Sequence, residues 1–315
     1  MATNYPDLIP VSLSREVLQQ LEFESAVMKL ARTIRMPTGL MSIPVVSVAP
    51  QAAFVNPAYG GRKPIGQVEW TAQKIVPEEI AVTLAIPNAF LDDAGFPVWE
   101  SVRPLVASAI ARVFDDAALY GTGAPASFPA GGLTAPAYTT PAGATAPTAV
   151  EGIAAAFATV ESAGLEVDGI LGGPGLRSVI RSLAVGLEAT QGAPQSLYGV
   201  PFATTPMWRT GTTPFDIALL GAWDYVVVGI REDITFDLSE DGVLTDDTGA
   251  VVVNAFQDDS TLMRCYMRVG LAVGLPLGID GTAQEKPLAL AQSTVASAFG
   301  AAATAKAATK QKAAA

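Results

Sequence analysis

The stretch FPVWESVRPLVASAIARVFDDAALYGTG, residues 96–123, decides how the rest of the chain is read. Its apolar residues fall at Val102, Leu105, Val106, Ala109, Ile110, Val113, Phe114, Ala117 and Ala118. Spacings of three and four put them on one side of a helix, the side expected to be buried. Arg103, Ser108, Arg112, Asp115 and Asp116 fall largely off that stripe, and the two aspartates read as solvated. Gly121 and Gly123 stop the helix, where a left-handed residue is wanted. Pro104 disfavours helical geometry at Arg103, so the regular helix is expected to begin near Pro104 after a looser lead-in from Trp99. From Pro104 to Tyr120 it would span about 25 Å at about 1.5 Å per residue.

The 315 residues suffice for two lobes or one elaborated domain, and with half of them apolar a sizeable core is available. Only 16% are charged, which hints at surface hidden by oligomerisation. The net charge is −11 and no Lys/Arg cluster occurs, which argues against a face that wraps nucleic acid. Histidine is absent, which excludes Ser-His and Cys-His pairs, imidazole bases and most zinc sites. Cys265 is the single cysteine, so no internal disulfide forms; LMRCYMRVGLAVGL around it reads as a strand with a buried structural thiol. MATNYPDLIP lacks the pattern of a signal peptide, and the uncharged run 287–305 is too weakly apolar to span a bilayer. A soluble protein made in a cytoplasm, with no membrane partner, is expected.

Outward from the helix the chain divides by character. Residues 1–35 form an N-terminal arm, extended over Tyr5–Val11 and then helical from an N-cap at Ser14, through Met28 and Ile34. Residues 36–88 are rich in proline and β-branched residues. MSIPVVSV (41–48) reads as one strand, VEWTAQKIV (68–76) and EIAVTLAI (79–86) as the return of a long β-ribbon. Ile80, Val82, Leu84 and Ile86 alternate, so one face is buried. A two-stranded ribbon alone is marginal in water, so it lies across a neighbouring subunit or forms an ordinary sheet in the main domain. A low-complexity loop (124–148) leads to a helix at 149–163, a short strand at 169–171 and a third helix after GGPG (172–175). Strands follow at 197–208, 216–241 (two), 250–256 and 261–275, and the Ala-rich segment from 282 to 315 reads as a frayed helix or a disordered tail. A few helices with segregated strands give an α+β fold.

Candidate chemistry is sparse. DLSEDGVLTDDT (237–248) places Asp237, Ser239, Asp241 and Gly242 as in a calcium loop, but Thr248 stands where Glu is needed and the flanks are strands. A solvated hairpin is the better reading. Gly172, Gly173 and Gly175 precede a helix, yet no Gly-Lys-Ser/Thr follows to make a phosphate loop. Asp92-Asp93 and Asp115-Asp116 read as caps or solvated positions. Arg62 and Lys63 form a positive spot at the ribbon tip: alone a surface turn, opposite an acidic neighbour an intersubunit ion pair. No constellation supports catalysis, and no cofactor or metal is called for.

The order of pieces resembles the major capsid protein family of tailed bacteriophages, with the Hong Kong 97-type shell fold. The residues that carry it are AAFVNPA (52–58), VTLAIPNAFLDDA (82–94), FDDAALYGTG (114–123), LGAWDYVVVGIREDITFDLSED (220–241) and FQDDSTLMRCYMRVGLAVGLP (256–276). Asn56 stands where the family more usually has an acid. The resemblance implies a non-enzymatic subunit that self-assembles into pentamers and hexamers of an icosahedral shell enclosing double-stranded DNA, assembled in the host cytoplasm. It implies an extended loop at 36–88, a peripheral domain at 89–130 and 232–262 with a spine helix, and an axial domain at 131–231 and 263–281. Scaffolding and portal proteins would be partners, with decoration proteins as an optional addition. The numbering starts at the arm, so scaffolding would come from a separate protein or an extension removed earlier. Arg62, Lys63, Trp70 and Lys74 on the ribbon and Pro104 in the spine are the candidate intersubunit residues. Some family members cross-link a ribbon Lys to an Asn of a neighbour, which would draw on Lys63 or Lys74 and Asn254. An encapsulin-type nanocompartment shell is the alternative, against which the long ribbon argues; a soluble hydrolase is disfavoured by the missing histidine.

Overall fold

The computed structural model describes residues 25–294, apart from 56–62, 64, 94–97, 185–195, 198, 212–213, 247, 279–280 and 282–283. The expected strand at Tyr5–Val11, the helix from Ser14, Arg62, the loop 188–195 and the lysines of the tail lie outside the described residues.

A short helix α1 (Ala26–Leu30) leads into β1 (Arg32–Arg35), followed by β2 (Met41–Val48), β3 (Glu69–Ile75) and β4 (Glu78–Pro87). The helices α2 (Asn88–Asp93) and α3 (Val98–Tyr120) come next, then β5 (Thr139–Ala142), α4 (Ala149–Ser162), β6 (Gly169–Gly172) and α5 (Leu176–Ala184). The chain continues through β7 (Ser196–Leu197), β8 (Val200–Thr204), β9 (Phe215–Gly221), β10 (Val226–Ser239), β11 (Val243–Thr245), β12 (Val251–Asn254), β13 (Ser260–Val273) and β14 (Leu288–Ser293). The fold is α+β, and its strands form a four-stranded sheet ordered β1-β10-β13-β4, a six-stranded sheet ordered β5-β14-β9-β6-β8-β7, and two separate pairs, β2-β3 and β11-β12.

The main core lies between the two larger sheets and around α3. Val226, Val228 and Ile230 of β10 and Met263, Cys265 and Met267 of β13 belong to one buried cluster with Leu171, Leu219, Leu288 and Leu290 of the six-stranded sheet and with the apolar residues of α1 and α3. The intervening residues Ile170, Ala218, Leu220, Ala289 and Ala291 point to the other face, where α4 and α5 cover them. A sheet covered on both faces needs strands that are apolar throughout. That is why β6, β9 and β14 read as short continuous apolar runs. β4 has only one covered face, and its burial alternates along all ten residues.

Six expectations are corrected. The central helix runs unbroken from Val98 through Pro104. Proline there forfeits one backbone hydrogen bond, on the order of 3 kcal/mol in a helix interior, and the burial of Val106, Ala107 and Ile110 just beyond it offsets that loss. The buried face is also turned from the expected one: Ala107, Ala111 and Leu119 are buried, whereas Leu105 and Val113 are 69% and 55% exposed. Residues 32–35, expected as helix, form β1 and pair in parallel with Val227–Ile230. The segment 78–87 leaves the ribbon and pairs along its length with β13. Finally, 288–293 is no tail but an interior strand between β5 and β9, and β13 (with 263–273) belongs whole to the four-stranded sheet.

Candidate intersubunit surfaces

The ribbon pairs Met41–Val48 with Glu69–Ile75 in antiparallel register. At its base, Met36, Ile75, Val227 and Ala272 form a small core against the four-stranded sheet, joined by Ile34, Met41 and Ile43. The amide of Ala49 donates to the carbonyl of Gly281 at 3.0 Å, which marks the end of that anchorage. Beyond it, every described residue from Gln51 to Ala72 is exposed. Among them Phe54, Ile65 and Trp70 show 105%, 94% and 65% of their surface.

Of the candidate residues, Lys63, Trp70 and Lys74 are exposed on this ribbon. Trp70 pairs with Val46 and Lys74 with Ser42, and a spacing of four places both side chains on one face of β3. Pro104 sits on α3, a separate element, and is half-buried. Asn254 ends β12 opposite Val243.

A second exposed surface is the β11–β12 hairpin with its flanks. Leu238, Val243, Val251, Val252 and Phe256 are exposed there. From 232 to 263 the chain has no Lys or Arg, while Asp237, Glu240, Asp241, Asp246, Asp247, Asp258 and Asp259 make it acidic. Asp246 holds the turn. It accepts from the Thr248 hydroxyl and amide and from the Ala250 amide, and these bonds hold its carboxyl below the usual range, the Thr248 hydroxyl foremost. Asp237 pairs instead with Arg264 at 2.6 Å. Among the described residues, no group of three or more His, Cys, Asp or Glu is arranged to hold a metal ion. The glycines before α5 serve packing: a Cβ at Gly172 would lie 2.9 Å from Leu176 Cδ2, and one at Gly173 would lie 3.0 Å from Trp208 Cδ1.

Two polar ties join the end of α3 to its surroundings, and neither is apparent from local pattern. Asp115, expected to be solvated, is 2% exposed. Its Oδ1 accepts from Ser25 Oγ at 2.7 Å and the Val27 amide at 3.4 Å; its Oδ2 accepts from Thr205 Oγ1 at 3.0 Å and the Ala26 amide at 3.2 Å. Burial pushes its carboxyl above the ordinary range, against the pull of those four donors. At the next residue Arg209 pairs with Asp116 at 2.7 Å, and it lies over the Tyr120 ring at 4.5 Å while its amide donates to the Tyr120 hydroxyl. Burial raises that hydroxyl to about 12. Nothing in the local sequence marks either tie, since Asp115 has Asp116 beside it and Arg112 three residues before it.

A phage capsid family model matches residues 7–279. The chain belongs to the phage capsid family. It is a major capsid protein, a structural component of the virion, and this favours the capsid reading over the nanocompartment shell and the hydrolase. Among solved structures it is similar to one from Mycobacterium phage Cain, at 22% identity and a TM-score of 0.71, covering 87% of this chain and 92% of that one. A structure from Microbacterium phage Oxtober96 is 26% identical at a TM-score of 0.66, covering 85% and 90% of the two chains. The capsid of an empty GTA particle, computed with C5 symmetry, aligns at 15% identity and a TM-score of 0.58, covering 86% and 90%. No curated protein matches the chain. Family membership implies that the capsid protein assembles with copies of itself into a shell. Among the described residues no helix is long and apolar enough to cross a membrane.

Proposed function

We propose that copies of this capsid protein form pentamers and hexamers of a closed shell around the double-stranded DNA of a tailed phage, without sequence-specific DNA contacts. Its role is structural and not enzymatic, and assembly takes place in the host cytoplasm with separate scaffolding and portal proteins. In this reading α3 with the four-stranded sheet is the peripheral part, its helix bending at Pro104. The six-stranded sheet with α4 and α5 is the axial part, gathered at the symmetry axis.

The ribbon carries the reading. A two-stranded pair is marginal in water by itself, and this one exposes Phe54, Ile65 and Trp70. Large exposed apolar surface rimmed by polar residues marks a binding surface. Over residues 36–75 its charges are Arg62, Lys63 and Lys74 against the single acid Glu69. The 237–259 hairpin is its complement in both respects, acidic with exposed valines and Phe256. The ribbon of one copy therefore reaches toward the hairpin region of another, and opposite charge fixes the register of that contact. Negative-stain microscopy of expressed protein tests the proposal. Closed particles are expected; only small oligomers under all assembly conditions would overturn it.

A further inference from the structure

The segment Ser25–Arg35 touches both large sheets. Ala26, Val27 and Met28 of α1 are buried in the main core, and Leu30 packs over Gly169 of β6, whose added Cβ would lie 3.2 Å from Leu30 Cδ2. Two residues later the same segment becomes β1, an edge strand of the four-stranded sheet, with Arg35 paired to Asp233 at 3.1 Å. Between these anchorages stands Asp115 of α3. Ser25 Oγ donates to it and also accepts from the Met28 amide at 3.1 Å, so the hydroxyl caps α1 while it is itself held. Thr205, directly after β8, donates from the other side and is fully buried.

The allocation of oxygens matters. Ala26 and Thr205 share Oδ2, while Ser25 and Val27 share Oδ1. A carboxylate can accept all four bonds, because it has about four lone-pair sites and no proton to place. A carboxamide cannot: its nitrogen, which accepts nothing, would face the backbone amide of Ala26 or of Val27. Withdrawal of either group changes the occupancy of an oxygen that the other group uses.

We infer that Asp115 is an interlobe latch, a buried carboxylate through which the docking of Ser25–Leu30 and the position of the Thr205 edge of the six-stranded sheet are energetically coupled across the spine helix. The latch gives the shell subunit a defined joint. The N-terminal segment is releasable as a unit, and its release loosens the attachment of the six-stranded lobe to α3 without unfolding either sheet. The inference rests on contacts within one subunit and stands whether or not shells form.

Amide hydrogen exchange of the folded protein tests it, in the parent and in Ser25→Ala, Thr205→Val and Asp115→Asn. The first two substitutions each remove one donor to Asp115 and one local acceptor, for the Met28 amide and the Met207 amide respectively, and nearly conserve volume, so they keep the test available if Asp115→Asn does not fold. In Thr205→Val, exchange at Ala26, Val27 and Met28 should quicken by about tenfold or more, an effect at the scale of a hydrogen bond to a charged group. Ser25→Ala should do the same for Thr205 and Met207. Amides of β13 should keep their parental rates in both. In Asp115→Asn both regions should be fast, and adding Thr205→Val should change Ala26–Met28 no further. Exchange at Ala26–Met28 that ignores Thr205→Val would overturn the coupling. A uniform acceleration that includes β13 would reduce Asp115 to a general stability residue and overturn the latch.

Discussion

Gly152 of α4 lies against the carbonyl oxygen of Gln292 in β14, so close that no β-carbon fits between them, and Ile217 Cδ1 closes the remaining side at 3.2 Å from where that carbon would stand. This contact seats the helix on a strand that comes 140 residues later. It also explains why a helix otherwise rich in alanine carries a glycine, which costs up to about 1 kcal/mol in a helix interior. Gly152→Ala should lower stability by about 2 kcal/mol or more, because the atom it meets is backbone and cannot turn aside. Thermal unfolding measures this; an unchanged midpoint would show that β14 does not occupy the place beneath α4.

The rotation of the spine helix is tested by neighbouring positions. Phe114 is fully buried and meets Phe128 edge-to-face at a centroid distance of 6.4 Å, whereas Val113 is more than half exposed. Phe114→Ala should cost about 3–5 kcal/mol and Val113→Ala less than about 0.5 kcal/mol, read from urea midpoints. Equal costs would restore the stripe expected from periodicity alone.

Cys265 supplies a pH test. It is fully buried in β13, and burial pushes its thiol from an ordinary 9.0 to about 12. The unfolded chain therefore releases this proton first. The group's contribution is intact below pH 9 and is lost as pH rises toward 12, by up to about 1.4 kcal/mol per pH unit. Tyr120, also raised to about 12 by burial, adds to the same alkaline loss above pH 10. Stability of Cys265→Ala should fall less steeply than that of the parent between pH 9 and 11, and the difference isolates the thiol. At pH 8 the native protein should not react with thiol reagents until it unfolds, since the thiolate is the reactive form. Parallel alkaline profiles would count against this assignment.

The ribbon makes a prediction about assembly without folding. Deleting residues 50–70 removes only the span beyond the Ala49 tether, where every described residue is exposed, so the folded subunit should survive with its unfolding midpoint nearly unchanged. Closed shells should disappear. Reversing charge with Lys63→Glu and Lys74→Glu should weaken assembly most at low salt, where exposed charges are least screened. Normal shells from the deletion, seen by negative-stain microscopy, would remove the ribbon from the assembly interface.

Much of the architecture was legible because local rules suffice for it. The alternation of Ile80, Val82, Leu84 and Ile86 identified a strand with one covered face, and the apolar periodicity of 102–118 identified the helix. The absence of histidine excluded Ser-His and Cys-His pairs, imidazole bases and most zinc sites. The order of pieces, more than any one of them, pointed to the capsid family, because each segment is degenerate and only their succession is specific.

What stayed hidden was set by partners distant in the chain. Periodicity shows that a helix has a buried side but cannot fix its edges, because Ala107 and Ala111 weigh little in an apolar pattern and yet are buried. Nothing near Asp115 in the sequence marks it as buried, because its donors lie about 90 residues away in either direction, at Ser25 and Thr205. LALAQS (288–293) has no period that a strand or a helix alone would claim, and it becomes a strand because β5 and β9 pair with it from both sides. The strand 78–87 was recognised as a strand but given the wrong neighbour, since its pattern encodes a buried face and not a pairing. Sequence alone determined most of the local elements, the class of fold and the family. Tertiary structure decided which faces are buried, which strands pair and where the Asp115 carboxylate is held, because those depend on the cooperative burial of segments that the chain keeps far apart.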